Sequence, residues 1–168
     1  MSVDTAKVAG RRELHFESLD EMLAEAERLA NDSDVELLGN WSLGQMCEHL
    51  ASSLTIANDG TSFRPSFIWR LMGPWMKGRM LKTTFSPGFK LPKEMEQLIP
   101  GDTSTEQGLT ALRNAASRFK SEPLQTTHFI FGKMSPEDWT KLQLRHAELH
   151  FSFAVQAKEE SAGDGDKA

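Results

Sequence analysis

Apolar residues recur at spacings of three and four along four stretches of the chain. Leu19, Met22, Leu23, Ala26 and Leu29 form the first row, and Leu43, Met46, Leu50, Leu54 and Ala57 the second. Leu109, Leu112, Ala116 and Phe119 form the third, and Trp139, Leu142, His146, Leu149, His150, Phe153 and Ala157 the fourth. Each row is the inner face of an amphipathic helix. A helix-start signal precedes every row: Ser18 with Glu21, Ser42 with Gln45, Thr103 with Glu106, and Ser135 with Pro136 at the first helical position and Asp138 at the third. In such pairs the hydroxyl accepts from the backbone N–H three residues on, while the acid or amide reaches back or favours the positive helix N-terminus. The third helix is predicted from Thr103 to about Lys120 and the fourth from Ser135 to about Lys158. Period-two alternation is absent apart from a brief run at Glu13 to Phe16, so strands have little support.

The connections are unequal. Short segments join the first helix to the second and the third to the fourth, whereas Asn58 to Asp102 separates the second from the third. A connection of that length is rarely structureless. It holds Phe63, Phe67, Trp69, Trp75, Phe85 and Phe89, and a short helix is expected around Ser66 to Met80, broken near Gly73 and Pro74. The predicted fold class is all-α, a four-helix bundle with a long crossover between helices two and three.

Composition narrows the functional classes. A chain of 168 residues with 39% hydrophobic and 26% charged residues is expected to fold as one domain, residues 1–158, followed by a small, polar, acidic tail, 159–168, expected to be flexible. A net charge of −5 argues against a general nucleic-acid binder. The lone Cys47 excludes an internal disulfide framework and a thiolate-rich zinc site. The first residues lack an apolar secretory core, and the most apolar stretch, Phe67 to Met80, is interrupted by Arg70, Gly73, Pro74 and Lys77. A cytoplasmic protein without a transmembrane segment is therefore expected.

What remains for metal chemistry is histidine: His15, His49, His128, His146 and His150. His146 and His150 stand four apart on one predicted helix, so both rings project from one face and can share an ion. The zinc-peptidase motif would place Glu directly after the first His; here that residue is Ala147. Glu148 points away from the histidine face. His49 borders the apolar stripe of helix two, in line with Ser42, Met46, Ser53 and Ile56. If helices two and four are neighbours, three neutral imidazoles converge and leave coordination positions open, which is the catalytic pattern and not the closed four-ligand structural one.

Two motifs carry a family resemblance. Gly39 to Ala51, with Trp41-Ser42 leading to His49-Leu50, resembles the second-helix motif of DinB/YfiT-like proteins, and His128 to Trp139 running on to Arg145 to Phe151 resembles their fourth-helix motif. The stretch from about Arg11 to Phe153 is similar to a DinB-related bacterial family of undefined function. The resemblance implies a four-helix bundle with a long crossover and a divalent metal, zinc or nickel, on His49, His146 and His150. It also implies a homodimer and a small-molecule substrate, and by analogy a low-molecular-weight thiol in a metal-dependent S-transfer or hydrolysis. Many relatives carry a second His before the last ligand and a Gln three residues after it, where this chain has Leu149 and Phe153. The alternative reading is a non-catalytic bundle with structural histidines that binds ligands or partners as a dimer.

Other residues have simpler expectations. His128 is a candidate substrate contact at the open end of the site or, alternatively, a loop His capping backbone carbonyls. His15 is expected at the surface, Cys47 in the core, and Trp41 and Trp139 as rings packed near helix starts. From Thr61 to Lys93 the chain has Arg64, Arg70, Lys77, Arg79, Lys82, Lys90 and Lys93 and no acidic residue, a charge of +7 against −12 for the remainder. Such a segment is expected first to pair with its own bundle or a second copy. Its other uses are anion steering and, through the interleaved aromatic rings, contact with an apolar group or a membrane surface.

Overall fold

The computed structural model describes residues 2–88 and 98–157. It is mainly helical: α1 spans Leu19–Asn31, α2 Leu43–Asp59, α3 Phe67–Met80, α4 Thr105–Ser121 and α5 Pro136–Phe151. Three of the four expected caps form as read. The Ser18 hydroxyl accepts from the Glu21 N–H, and Ser42 with Gln45 and Ser135 with Asp138 close reciprocal capping boxes. The cap of α4 is shifted by one residue, because Ser104 with Gln107 closes its box. The Thr103 hydroxyl donates instead to the Glu48 carboxylate and ties the start of α4 to α2.

The mainly helical expectation holds, and among the described residues four short strands accompany the helices. Val35–Leu37 (β1) pairs antiparallel with Ala154–Gln156 (β4), and Thr127–His128 (β2) with Gly132–Lys133 (β3). The fourth predicted helix therefore ends at Phe151, not near Lys158: after Ser152 the chain turns and runs extended along β1, with the Leu38 N–H donating to the Phe153 carbonyl and that of Ala157 to the Asp34 carbonyl. Glu13 to Phe16 forms no strand; the Phe16 amide and carbonyl are taken by the side chains of Glu148 and Arg145. The expected helix in the crossover is present but unbroken, with Pro74 inside it. Phe89, Lys90, Lys93 and the acidic tail lie outside the described residues.

The core is the meeting of the apolar rows. Met22 and Ala26 of α1, Leu50 and Leu54 of α2, Leu112 and Ala116 of α4, and Trp139 and Phe151 of α5 are all buried, together with Cys47. Both α1 and α2 touch α4 and α5, and the closest partnership is α2 with α4. It depends on two glycines near the helix starts. A Cβ on Gly44 would fall 2.3 Å from the Thr103 carbonyl oxygen, and one on Gly108 would fall 2.3 Å from the Gly44 carbonyl oxygen. Only bare backbone allows this approach. On the other side α2 is clamped to α5: the Ser53 hydroxyl donates to Gln143 Oε1 at 2.9 Å, and Gln143 Nε2 donates to the Ser53 carbonyl at 3.2 Å. Gln143 is buried, so satisfying both ends of its amide sets the register between the two helices.

Candidate metal centre

One turn along the same seam from the Ser53–Gln143 clamp, α2 presents His49 to His146 and His150 of α5. Their Nε2 atoms converge: His49 lies 3.1 Å from His146, and His150 lies 3.0 Å from His146. All three donor atoms fall within 4.8 Å of one another. Two imidazole nitrogens bound at about 2.0 to 2.1 Å to a tetrahedral ion would sit about 3.3 Å apart. The observed spacing is close to that, and the rings already point inward.

The tautomer of His49 is set by the backbone. Its Nδ1 lies 2.7 Å from the Leu98 carbonyl oxygen, which can only accept, so Nδ1 carries the proton and Nε2 keeps its lone pair toward the other two rings. Burial pushes the pKa of His49 down, partly opposed by that carbonyl. Burial, and then the neighbouring imidazoles, push those of His146 and His150 well below the ordinary histidine range. All three are therefore neutral near pH 7, the form that binds metals.

Aromatic rings wall the cluster. Trp41 stacks on His150, with centroids 5.2 Å apart and planes 14° from parallel, and leans on His49 at 4.8 Å. Phe85 stacks on His146 at 5.7 Å. The β1–β4 ladder explains the first contact, since it ties the α1–α2 connection to the chain leaving α5 and so carries Trp41 to the end of that helix. The ring expected to pack near a helix start thus packs on two of the candidate ligands. Phe85 belongs to the long crossover, whose spacing along the chain holds no signal for this contact. The Leu98 carbonyl was equally hidden, being backbone. Gln143 did leave a trace, as a polar residue one turn before His146 on a face that is otherwise buried.

The other candidates lie elsewhere. His128, considered as a substrate contact, is buried in the β2–β3 hairpin, where its Nδ1 accepts from the Ile130 and Phe131 amides at 3.0 and 3.1 Å. Its ring stacks on Phe129 and Phe131, and burial pushes its pKa down to about 4. It organises a turn through backbone amides, the reverse of the expected carbonyl cap. His15 is exposed, as expected. The Cys47 thiol is buried, with its pKa pushed up to about 12, which keeps it protonated and unreactive. Glu148 is fully buried on the far side of α5. Its carboxylate accepts from the Phe16 amide at 2.7 Å and the Thr84 hydroxyl at 2.7 Å, and forms an ion pair with the Arg145 guanidinium at 2.8 Å.

Among the described residues, His49, His146 and His150 are the set of side chains able to hold a metal ion. No helix is long and apolar enough to cross a membrane, again among the described residues. No curated protein and no solved structure matches the chain. A family match spans residues 8–157, which include all three histidines and α1 to α5, and on that match the chain belongs to the family described as "Protein of unknown function (DUF1569)".

Proposed function

We propose that this protein is a divalent-metal protein of DinB/YfiT-like architecture, a four-helix bundle of α1, α2, α4 and α5 with α3 in the crossover, and that its metal site serves group transfer or hydrolysis on a small substrate. The observation that carries the proposal is the convergence of three Nε2 atoms from two rigid helices at 3.0 and 3.1 Å. Three neutral imidazoles aimed at one point bring lone pairs together, and at most one proton can sit between any two of them. A cation at that point turns the repulsion into ligation. The donor set is all imidazole, which suits zinc and nickel. A bound ion would supply Lewis acidity and lower the pKa of a small thiol or of water in an open position.

The chain's own residues orient and enclose the cluster. The Leu98 carbonyl orients His49, the Ser53–Gln143 clamp holds α2 and α5 in register, and Trp41 and Phe85 exclude water from two sides. The thiol version of the reaction rests on the family resemblance alone. One observation favours the competing reading of a non-catalytic bundle: among the described residues no carboxylate hydrogen-bonds to any of the three histidines.

Metal analysis separates the two readings. Protein prepared without a histidine tag, with zinc and nickel supplied, is expected to retain about one ion per chain, and His146→Ala only a small fraction of it. Metal absent from both would overturn the proposal.

A further inference from the structure

Helix α3 packs in an unusual direction. Its inner side meets the β2–β3 hairpin so closely that a Cβ on Gly73 would overlap the Ile130 carbonyl oxygen, 1.9 Å away. Lys77 Nζ then donates to the Lys133 carbonyl and to Asp138, both at 2.9 Å. The other side is apolar and faces out: Phe67, Ile68, Leu71, Met72 and Trp75 are between 46 and 84% exposed. Positions 67, 71 and 75 form one line along the helix with 68 and 72 beside it, so the exposed groups make a continuous stripe. Its area is on the order of 600 Å², at the upper end for the largest patch on a monomer.

The charge along the segment that carries the stripe has one sign. Arg64 stands before it, Arg79 at its C-terminal end and Lys82 just beyond; all three are exposed, and none forms an ion pair with the described residues. Among the described residues, Lys77 follows the expectation of pairing with the bundle. No acidic residue occurs from Thr61 to Lys93. Symmetric pairing of α3 with a second copy would set these cations against each other, whether the helices run parallel or antiparallel. An apolar stripe carrying tryptophan and flanked along the chain by cations is complementary to an anionic lipid surface. The helix has 14 residues, about 21 Å of length, so it would lie in the interface and not cross it.

We propose that α3 docks this protein peripherally on anionic phospholipid bilayers, with Phe67, Leu71 and Trp75 inserted at the headgroup boundary and Arg64, Arg79 and Lys82 on the lipid phosphates. The docking is independent of the metal site. The test is co-sedimentation of the full chain with vesicles of phosphatidylcholine alone or mixed with phosphatidylglycerol. Binding is expected only to the mixed vesicles and to weaken as salt is raised. Leu71→Glu with Trp75→Glu should lose at least about tenfold in affinity. Arg64→Gln with Arg79→Gln and Lys82→Gln should lose on the order of a hundredfold, at about fivefold per cation. These side chains are exposed, so far-UV circular dichroism and metal content should be unchanged in both variants. Three results would overturn the proposal: no binding to the mixed vesicles, binding that survives Leu71→Glu with Trp75→Glu, or a dimer dissociated by Leu71→Glu in a protein that ignores vesicles.

Discussion

Helix α5 carries polar side chains into the interior on two opposite sides, and the two sides end differently. On one, Glu148 is completely buried, yet its oxygens are taken by the Phe16 amide, the Thr84 hydroxyl and Arg145. That group joins the segment before α1, the end of the crossover and α5 into one closed network. On the other side, His146 and His150 meet His49 nitrogen to nitrogen, with aromatic faces around them. A buried polar group whose valences are all met by the fold is a fastener. A cluster of three imidazole nitrogens that face one another is instead a set of donor atoms able to hold a metal ion.

The difference predicts different consequences for mutations only two residues apart. Glu148→Ala leaves Arg145 buried without its carboxylate and frees the Phe16 amide, so it should cost about 3 to 5 kcal/mol in urea unfolding. Its folded fraction should still bind metal with unchanged stoichiometry. His146→Ala should do the reverse, lowering zinc affinity by more than about a hundredfold while costing less stability than Glu148→Ala. If the two variants behaved alike in both measurements, the contrast between fastener and site would fail.

His128 gives a third, intermediate case, a buried imidazole whose one acceptor is satisfied by the Ile130 and Phe131 amides. His128→Leu should cost about 1 to 3 kcal/mol near pH 7 by orphaning them. Its pKa is about 4 in the fold against 6.5 for an ordinary histidine, so as pH falls the unfolded chain takes up the proton first. Stability should therefore fall between pH 6.5 and about 4, by at most about 1.4 kcal/mol per pH unit from this group, and then level. His128→Leu should remove this group's share of the slope in a urea titration against pH, leaving that of the three clustered histidines. The smallest effect is expected at the wall of the site: Trp41→Ala removes a ring from His150 and His49 and should weaken zinc binding by about tenfold in a competition assay with a chelator.

The helices were legible because their signals are local. The caps at Ser18, Ser42 and Ser135 and the spacing of His146 and His150 need only a few neighbouring residues to be read. The adjacent hydroxyls of Thr103 and Ser104 compete for one cap, and the choice between them turned on Glu48, which is distant in sequence and takes the threonine. The end of α5 depended on β1, again a remote segment, so continuing the periodicity to Phe153 and Ala157 mistook a strand for two more turns. The candidate ligand set could be suspected from His49 beside a helix stripe, but the orientation of that ring by the Leu98 carbonyl is invisible to any pattern of side chains. Within the crossover, the aromatic content was plain in the sequence. That Phe85 turns in to His146 while Trp75 turns out, 84% exposed, is decided by where Gly73 lets α3 meet the hairpin.

The central claim is that the three imidazoles bind one ion through Nε2. X-ray absorption at the zinc edge of the tag-free, zinc-loaded protein measures this directly. The expected spectrum has three imidazole nitrogens at about 2.0 to 2.1 Å with their outer-ring scattering, and loses that signature in His146→Ala. A spectrum without imidazole scattering, or one unchanged in His146→Ala, would contradict it.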